Sequence, residues 1–335
     1  MSNTKLLLLI NLVFFFIGLD LVLYKKMLDR PSMVQPIPHA PIVQPIEEPE
    51  PEPINYDITN PVPSYLAYSA LVDQLKQWEQ EAPELVEVGT YGKSSQGQDI
   101  YYIRIRNTRT DEGQSVVLLT AAIHGNEPWS TTTMMACVGT LLDRYGDDEK
   151  ITALVDGRDL YVIPVVSPDA YPYSRHVDGV DPNRNFPTQT SPEKISVPPI
   201  QALRDFYFGI RPVAVISGHT FGRVYLYPWG DSRRPCPNAE DYHRILGQME
   251  ALSRYGSKQA GFNYGTPIFG TEVDWYYRHG SFSIVMEIGT HQRPPSMEEV
   301  RSEFERTFGA VMYFIEEAPK VEVRNYAVSD WRAAA

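Results

Sequence analysis

The sequence has few cysteines and few basic residues for its length. Its 335 residues include two cysteines, Cys137 and Cys236, which lie far apart in the chain. This excludes a framework of disulfide bonds, and such cysteine usage indicates no particular redox compartment. The 30 basic residues form no cluster and are outnumbered by 42 acidic ones, giving a net charge of -12. These counts argue against binding of nucleic acid through a broad basic surface.

The amino-terminal segment carries a long apolar run. Leu6–Tyr24 spans 19 residues, interrupted by Asn11 and Asp20 and flanked by lysines. This is long enough for a transmembrane helix, and a charge near the end of such a helix costs less free energy than one at its centre. The alternative, a cleaved signal peptide, requires small residues after the run, and none follow. We therefore predict that residues 1–30 form an uncleaved membrane anchor, although the flanking charges leave its topology open.

Residues 31–63 differ in composition from the rest of the chain. They contain ten prolines and five acidic residues but no Lys or Arg. Proline fixes φ and removes a backbone donor, so we predict a semi-rigid spacer rather than a packed element. Recognition by proline-binding modules is the weaker alternative, because a spacer explains the composition without a partner. The segment resembles the Pro/Glu stalks of bacterial inner-membrane proteins, which predicts a single-pass membrane protein with its folded domain in the periplasm or outside the cell.

Residues 64–318 have the pattern of one globular α/β domain, followed by a tail at 319–335. Several apolar runs are continuous, as in strands buried on both faces, and helical stretches separate them. This alternation predicts a mostly parallel or mixed twisted sheet flanked by helices. The predicted strands are 100–107, 115–123, 160–166, 213–217 and 282–288, and the predicted helices are 65–81, 130–145, 198–208, 238–256 and 297–316.

Chemically active residues lie at the ends of three of the predicted strands. His124 and Glu127 come directly after one strand, His219 follows another, and Glu287 lies within the last strand pattern. Such residues meet at the carboxyl edge of a parallel sheet. Two His and one Glu suit a catalytic zinc ion, and Glu287 is then a candidate general base. Taken singly, His219 also fits a hydrogen-bonded interior histidine and Glu287 an ion-paired strand end, but their coincidence at strand ends favours a site.

A fourth motif lies between the HxxE motif and His219. The run Gly179–Pro187 (GVDPNRNFP) places an Arg beside an Asn, and Ser167-Pro168-Asp169 precedes it at a strand end. Together with HxxE, a strand ending in His and a strand carrying Glu, this order resembles the zinc carboxypeptidase family, the carboxypeptidase A-like enzymes. The resemblance covers roughly residues 64–318 and implies that family's fold and chemistry.

The resemblance implies a metal centre and a general base. In the family pattern, His124, Glu127 and His219 match the ligands of one Zn2+ ion, and Glu287 matches the base that deprotonates the attacking water. We therefore expect a zinc-dependent metallocarboxypeptidase that hydrolyses a peptide bond near a free terminal carboxylate.

The resemblance also implies how substrate binds. Asn183 and Arg184 match the pair that grips the terminal carboxylate, a task that suits a planar guanidinium with two parallel donors. Arg175 matches an Arg that polarises the scissile carbonyl in members with a short version of this loop. A surface Arg is the alternative for Arg175.

Two further positions bear on how the substrate binds. Counting back from Asp274, the substrate-capping Tyr of the family falls on Thr266, and we predict that Tyr264 replaces it. The specificity-pocket position is Val273, so an acidic pocket for a Lys or Arg terminus is not indicated.

Several functions fit these residues. The anchor, the stalk and the short loop favour a cell-wall stem peptide as substrate, and a general peptide carboxypeptidase is the close alternative. From a different class comes a non-catalytic peptide-binding module on a membrane stalk. The expected partners are a peptide with a free carboxylate and, through the amino-terminal helix, a membrane. We expect no nucleic acid and no obligate protein partner.

Overall fold

A mixed β-sheet runs through the part of the chain that the structure describes. The computed structural model describes residues 67–109, 113–188, 190–192, 195–292 and 295–324. Its strands are β1 (Val86–Lys93), β2 (Asp99–Ile105), β3 (Ser115–Ala121), β4 (Arg158–Ile163), β5 (Ala214–His219), β6 (Val224–Tyr227), β7 (Gly256–Gln259) and β8 (Phe282–Glu287).

The order of the strands is β1-β2-β4-β3-β5-β8-β6-β7. The four central strands, β4, β3, β5 and β8, are parallel, whereas β2 pairs antiparallel with both β1 and β4, and β6 pairs antiparallel with β8. Parallel central strands need helical crossovers on their faces. The predicted α/β fold with a mixed sheet is therefore confirmed.

Helices cover both faces of the sheet. In β3, Val117 and Leu119 pack into one apolar cluster and Leu118 packs into another, so alternate side chains enter opposite layers. This explains why the strand reads as a continuous apolar run. The helices are α1 (Tyr68–Glu81), α2 (Pro128–Arg144), α3 (Glu149–Asp156), α4 (Pro198–Ile210), α5 (Ala239–Ser253), α6 (Ala260–Asn263), α7 (Glu272–Arg278) and α8 (Met297–Glu317).

Local sequence explains where the main helices begin. α2 and α4 each carry proline in the first turn. The backbone N–H that proline lacks would have no partner within the helix at this position, so no hydrogen bond is lost. α8 begins with a capping box, in which the Ser296 side chain accepts from the Glu299 backbone and the Glu299 side chain accepts from the Ser296 backbone. These signals lie within two residues of the predicted helix starts.

The predicted elements are confirmed with shifts of a few residues, and others were missed. Sequence analysis omitted β1, β6 and β7 and the short helices α3, α6 and α7. β1 is half-exposed and contains two glycines, and β6 and β7 have four residues each. None of these three strands therefore has a long apolar run.

The predicted anchor and stalk lie outside the described residues. In the described ranges, the helices are all too short or too polar to cross a bilayer. The anchor at 1–30, the stalk at 31–63 and the domain boundaries stay predictions.

A glycine lets the β3 end approach the loop that follows β4. A Cβ atom on Gly125 would lie 2.3 Å from the carbonyl carbon of Ala170. No L side chain fits at that distance, so the turn between His124 and Glu127 depends on glycine. This turn sets the position of both side chains.

We predict that Gly125→Ala lowers the free energy of unfolding by about 1–3 kcal/mol, because the added methyl overlaps backbone. Urea unfolding followed by circular dichroism measures this. Gly247→Ala is the matched control: it lies inside α5 with open space at its Cβ, so it should raise stability by up to about 1 kcal/mol. Equal stability of Gly125→Ala and the parent chain would contradict the close approach.

Candidate metal centre and its cavity

The carboxyl ends of three parallel strands bring the predicted residues together. His124 follows β3, and Glu127 lies immediately before α2. β5 ends at His219 and β8 ends at Glu287, and these two residues are paired across the strands. The strand-end prediction is therefore confirmed for all four side chains.

Two imidazoles and one carboxylate form a buried cluster. One possible ligand atom from each of His124, Glu127 and His219 lies within 4.8 Å of the others. The Nδ1 atoms of both histidines lie 2.9 Å from the Glu127 carboxylate, one at each oxygen. Two nitrogens and a hard oxygen converging on one point are the donor set of a catalytic zinc site.

The outer nitrogens of the two histidines also face carboxylates. His124 Nε2 lies 2.9 Å from Asp181 Oδ1, and His219 Nε2 lies 2.7 Å from Glu272 Oε1. A carboxylate on the outer nitrogen fixes the ring and directs the lone pair of the other nitrogen at the metal. The residues present therefore fit a zinc ion bound through both Nδ1 atoms.

Burial and the histidines act in opposite directions on Glu127. Burial raises its pKa, but charge and hydrogen bonding from His219 and His124 outweigh it and lower the pKa to about 2. The Thr220 backbone N–H also donates to Glu127 at 3.2 Å. Glu127 therefore stays ionised, as a metal ligand must.

Glu287 behaves differently from Glu127. Burial raises its pKa, with the charge of Glu127 acting in the same direction and His219 in the opposite one. A carboxylate with a raised pKa accepts protons more readily near neutral pH. These directions suit Glu127 to metal binding and Glu287 to proton transfer.

A cavity of about 290 Å³ opens onto this cluster. Its lining includes every residue that the sequence predicted for substrate or catalysis: Arg175, Asn183, Arg184, Tyr264, Val273 and Glu287. The Arg175 guanidinium lies 2.9 Å from Asp181 and 3.6 Å from Glu127, which holds it beside the metal cluster. Arg184 donates to the Asn183 carbonyl at 2.7 Å. The roles of these residues stay predictions.

The contacts around Asn183 fix the orientation of its amide group. Asn183 Oδ1 accepts from the Glu272 backbone N–H at 2.9 Å, while its Nδ2 lies 3.3 Å from His219 Nε2. An ionised Glu272 can only accept, so His219 Nε2 carries the proton between them and cannot accept from Asn183. The Asn183 amide is therefore held in place by its oxygen, with its nitrogen in the cavity lining beside the His219 ring.

The predicted replacement for the capping Tyr lies at the cavity. The Tyr264 hydroxyl donates to Glu287 Oε1 at 3.0 Å, whereas the exposed Thr266 is not in the cavity lining. Burial is the largest cause that raises the pKa of the Tyr264 hydroxyl, and the charge of Glu287 adds to it. The hydroxyl therefore remains a hydrogen-bond donor.

One side of the cavity is apolar. Leu226, Ala260, Val273 and Val285 pack together in a small cluster that faces the cavity. Thr271 lines the same cavity, and its buried hydroxyl has no hydrogen-bond partner among the described residues. This wall suits an apolar side chain and offers one hydroxyl.

Two carboxylates of the site were not assigned from the sequence. Asp181 lies inside the conspicuous run before Asn183, so its position two residues from a predicted site residue was the available signal. Glu272 flanks Val273, but one sequence does not show which way its side chain points. Asp169 was part of the family pattern and proves structural: it accepts from the backbone N–H of Gln96 and from two side chains, holding that loop.

The zinc carboxypeptidase family model matches residues 71–310 of the chain. The chain belongs to this family. The family's metal is zinc and its chemistry is peptide hydrolysis, so the predicted family, enzyme class and cofactor are confirmed.

Known relatives and solved structures agree with this family. Carboxypeptidase D of Drosophila melanogaster is 28% identical, and the match spans 69% of this chain but 20% of the fly protein. The inactive metallocarboxypeptidase ECM14 of Saccharomyces cerevisiae is 24% identical over 72% of this chain and 69% of its own length. The structure of thrombin activatable fibrinolysis inhibitor has a TM-score of 0.68 at 21% identity, covering 76% of this chain and 75% of its own, which shows a shared fold.

We predict that His124→Ala removes zinc from the zinc carboxypeptidase domain. The purified chain should retain about one zinc ion after dialysis and the variant less than about 0.1, because two ligands do not hold the ion. Atomic emission measures this ratio. His243→Ala is the matched control, since His243 is exposed on α5 and contacts Tyr227 away from the cluster. Full zinc retention by His124→Ala would contradict the ligand assignment.

Proposed function

We propose that this chain is an active zinc-dependent carboxypeptidase. The observation that carries the proposal is the meeting of three groups in one cavity: the His-Glu-His cluster, the buried Glu287 carboxylate, and the carboxylate-binding side chains Asn183 and Arg184. Hydrolysis of a peptide bond next to a terminal carboxylate requires all three: a metal ion, a base and an anion-binding site. The proposal for the whole chain is based on this arrangement and not on any one relative.

The proposed chemistry assigns proton transfer to Glu287. A zinc ion held by His124, Glu127 and His219 would supply Lewis acidity, which would polarise a carbonyl and lower the pKa of water towards neutrality. Glu287 accepts the proton of the attacking water and later delivers it to the leaving amine. Its burial and raised pKa support both steps, because a carboxylate of higher proton affinity takes up and releases a proton near neutral pH.

The proposed binding mode separates the two arginines. Arg184 and the donors of Asn183 bind the terminal carboxylate of the peptide. Arg175, held at Asp181 beside the cluster, stabilises the negative charge that develops on the carbonyl oxygen. Tyr264 reaches the same space, because its hydroxyl contacts Glu287.

The apolar wall supports a substrate class. A charged terminal side chain against Leu226, Val273 and Val285 would lose its hydration without gaining a partner. We propose that the terminal residue is apolar. The cell-wall proposal then narrows to stem peptides that end in a residue such as alanine, rather than in a diamino acid.

The location of the domain is a separate proposal. The apolar run at 6–24 and the proline content of residues 31–63 support a membrane anchor and a stalk that place the domain in the periplasm or outside the cell. This proposal is independent of the chemistry in the cavity.

A non-catalytic module is the second candidate, because one relative carries the name inactive. The presence of three metal ligands and Glu287 in one cavity argues against it here. A zinc-loaded chain that hydrolyses no peptide would be evidence for the non-catalytic module.

We predict that Glu287→Gln lowers kcat by about 10²–10⁴-fold while zinc stays bound, because the amide cannot accept the proton. Hydrolysis of a peptide library by the full chain, read by mass spectrometry together with metal analysis, measures both. Glu298→Gln, an exposed change in the first turn of α8, is the matched control and should keep wild-type kcat. A zinc-loaded Glu287→Gln variant with wild-type activity would overturn the assignment of the base.

We predict that the chain releases apolar terminal residues at least about tenfold faster than Lys or Arg, because its pocket wall holds no charge. The same library, supplemented with muropeptides that end in alanine or in a diamino acid, measures this ratio. Val273→Asp should reverse this preference, so that the variant releases Lys faster than Leu. Faster release of Lys or of a diamino acid by the parent chain would contradict the apolar pocket.

A further inference from the structure

A fully buried glutamate lies behind the metal cluster and has no role in the proposed chemistry. Glu272 is the first residue of α7, and its side chain is 0% exposed. Its neighbours Thr271 and Val273 line the cavity, but Glu272 does not. It therefore cannot contact a substrate in the cavity, and any function must pass through the residues that it touches.

Glu272 touches one metal ligand and one substrate-binding residue. Its Oε1 lies 2.7 Å from His219 Nε2, and its backbone N–H donates to Asn183 Oδ1 at 2.9 Å. Its second oxygen, Oε2, is buried and makes no hydrogen bond within the described residues. His219 is the basic side chain paired with this carboxylate in the same ranges.

A buried carboxylate with one ionic partner costs free energy unless its charge is compensated. A glutamine or an apolar residue would avoid this cost if position 272 only filled space. The carboxylate instead accepts the Nε2 proton of His219, which leaves Nδ1 on the side of Glu127 and His124. A divalent cation bound at Nδ1 would provide the positive charge that this arrangement lacks.

We propose that Glu272 is a positioning residue for the zinc ligand His219. It holds the imidazole ring so that Nδ1 faces the metal, and its negative charge strengthens that nitrogen as a ligand. Its backbone holds Asn183 at the same time, which ties the metal ligand to the carboxylate-binding residue. The inference rests on the zinc site of the proposed function.

The test measures zinc affinity of the full chain rather than activity. Glu272→Gln keeps an acceptor for His219 Nε2 and removes the charge, and Glu272→Ala removes both. We expect the zinc Kd, from competition with a chelator, to rise about tenfold for Glu272→Gln and about 100-fold for Glu272→Ala. The visible spectrum of the cobalt-substituted protein should change in both variants, because it reports the ligand geometry. At saturating zinc, KM should stay within about twofold of the parent value, since the backbone contact to Asn183 remains.

Asp274→Asn is the matched control. Asp274 lies in the same helix, is also buried, and accepts from the backbone N–H groups of Gly230 and Asp231 without touching the cluster. Its substitution should leave the zinc Kd and the cobalt spectrum unchanged even if the unfolding temperature falls.

The outcomes separate this inference from the proposed function. A parent chain that binds zinc and hydrolyses peptides, with Glu272 variants of unchanged zinc Kd, overturns the inference alone. Failure of Glu272→Gln to fold would show a purely structural role and would also overturn it. A parent chain that binds no zinc overturns both.

Discussion

The Glu127 carboxylate between two imidazoles is the contact on which the site depends. Each of its oxygens lies 2.9 Å from an Nδ1 atom, one of His124 and one of His219. His124 follows β3 and His219 ends β5, so the contact joins the ends of two adjacent parallel strands. Glu127 also directly precedes α2, which fixes the start of that helix against the sheet. A shift of β3 relative to β5 would therefore move the metal ligands apart and would disrupt the cavity wall as well.

Negative charge exceeds positive charge around this contact. Three carboxylates, those of Glu127, Asp181 and Glu272, face two imidazoles, with Arg175 at the edge. With neutral histidines, as metal binding requires, the inner groups carry an uncompensated negative charge in a buried space. A divalent cation removes most of that excess. The arrangement therefore favours a metal for electrostatic reasons as well as for the geometry of its ligands.

Sequence predicted the groups at strand ends better than the groups behind them. His219 and Glu287 were found because continuous apolar runs end there, and a parallel sheet places such ends at one edge. The count back from Asp274 falls on Thr266, and the structure places the predicted replacement, Tyr264, at the cavity. The direction of the Glu272 side chain depends instead on how α7 packs against β5, a tertiary contact with no local periodicity. The short strands β6 and β7 were missed because four residues are too few to show a recognisable apolar pattern.

In the binding mode that we propose, the contrast between the polar and the apolar lining of the cavity orients the peptide. Arg175 and Arg184 line the cavity, with Arg175 held 3.6 Å from Glu127, and Val273 and Val285 belong to the apolar cluster of the same lining. A terminal carboxylate against the apolar side would be desolvated without a partner, whereas an apolar side chain there releases water. In the proposed binding mode, one orientation satisfies both ends of the terminal residue, and it would direct the preceding carbonyl towards the metal cluster and Glu287. We therefore expect the wall to contribute to the position of the scissile bond as well as to selectivity, so a change at Val273 should alter kcat along with KM.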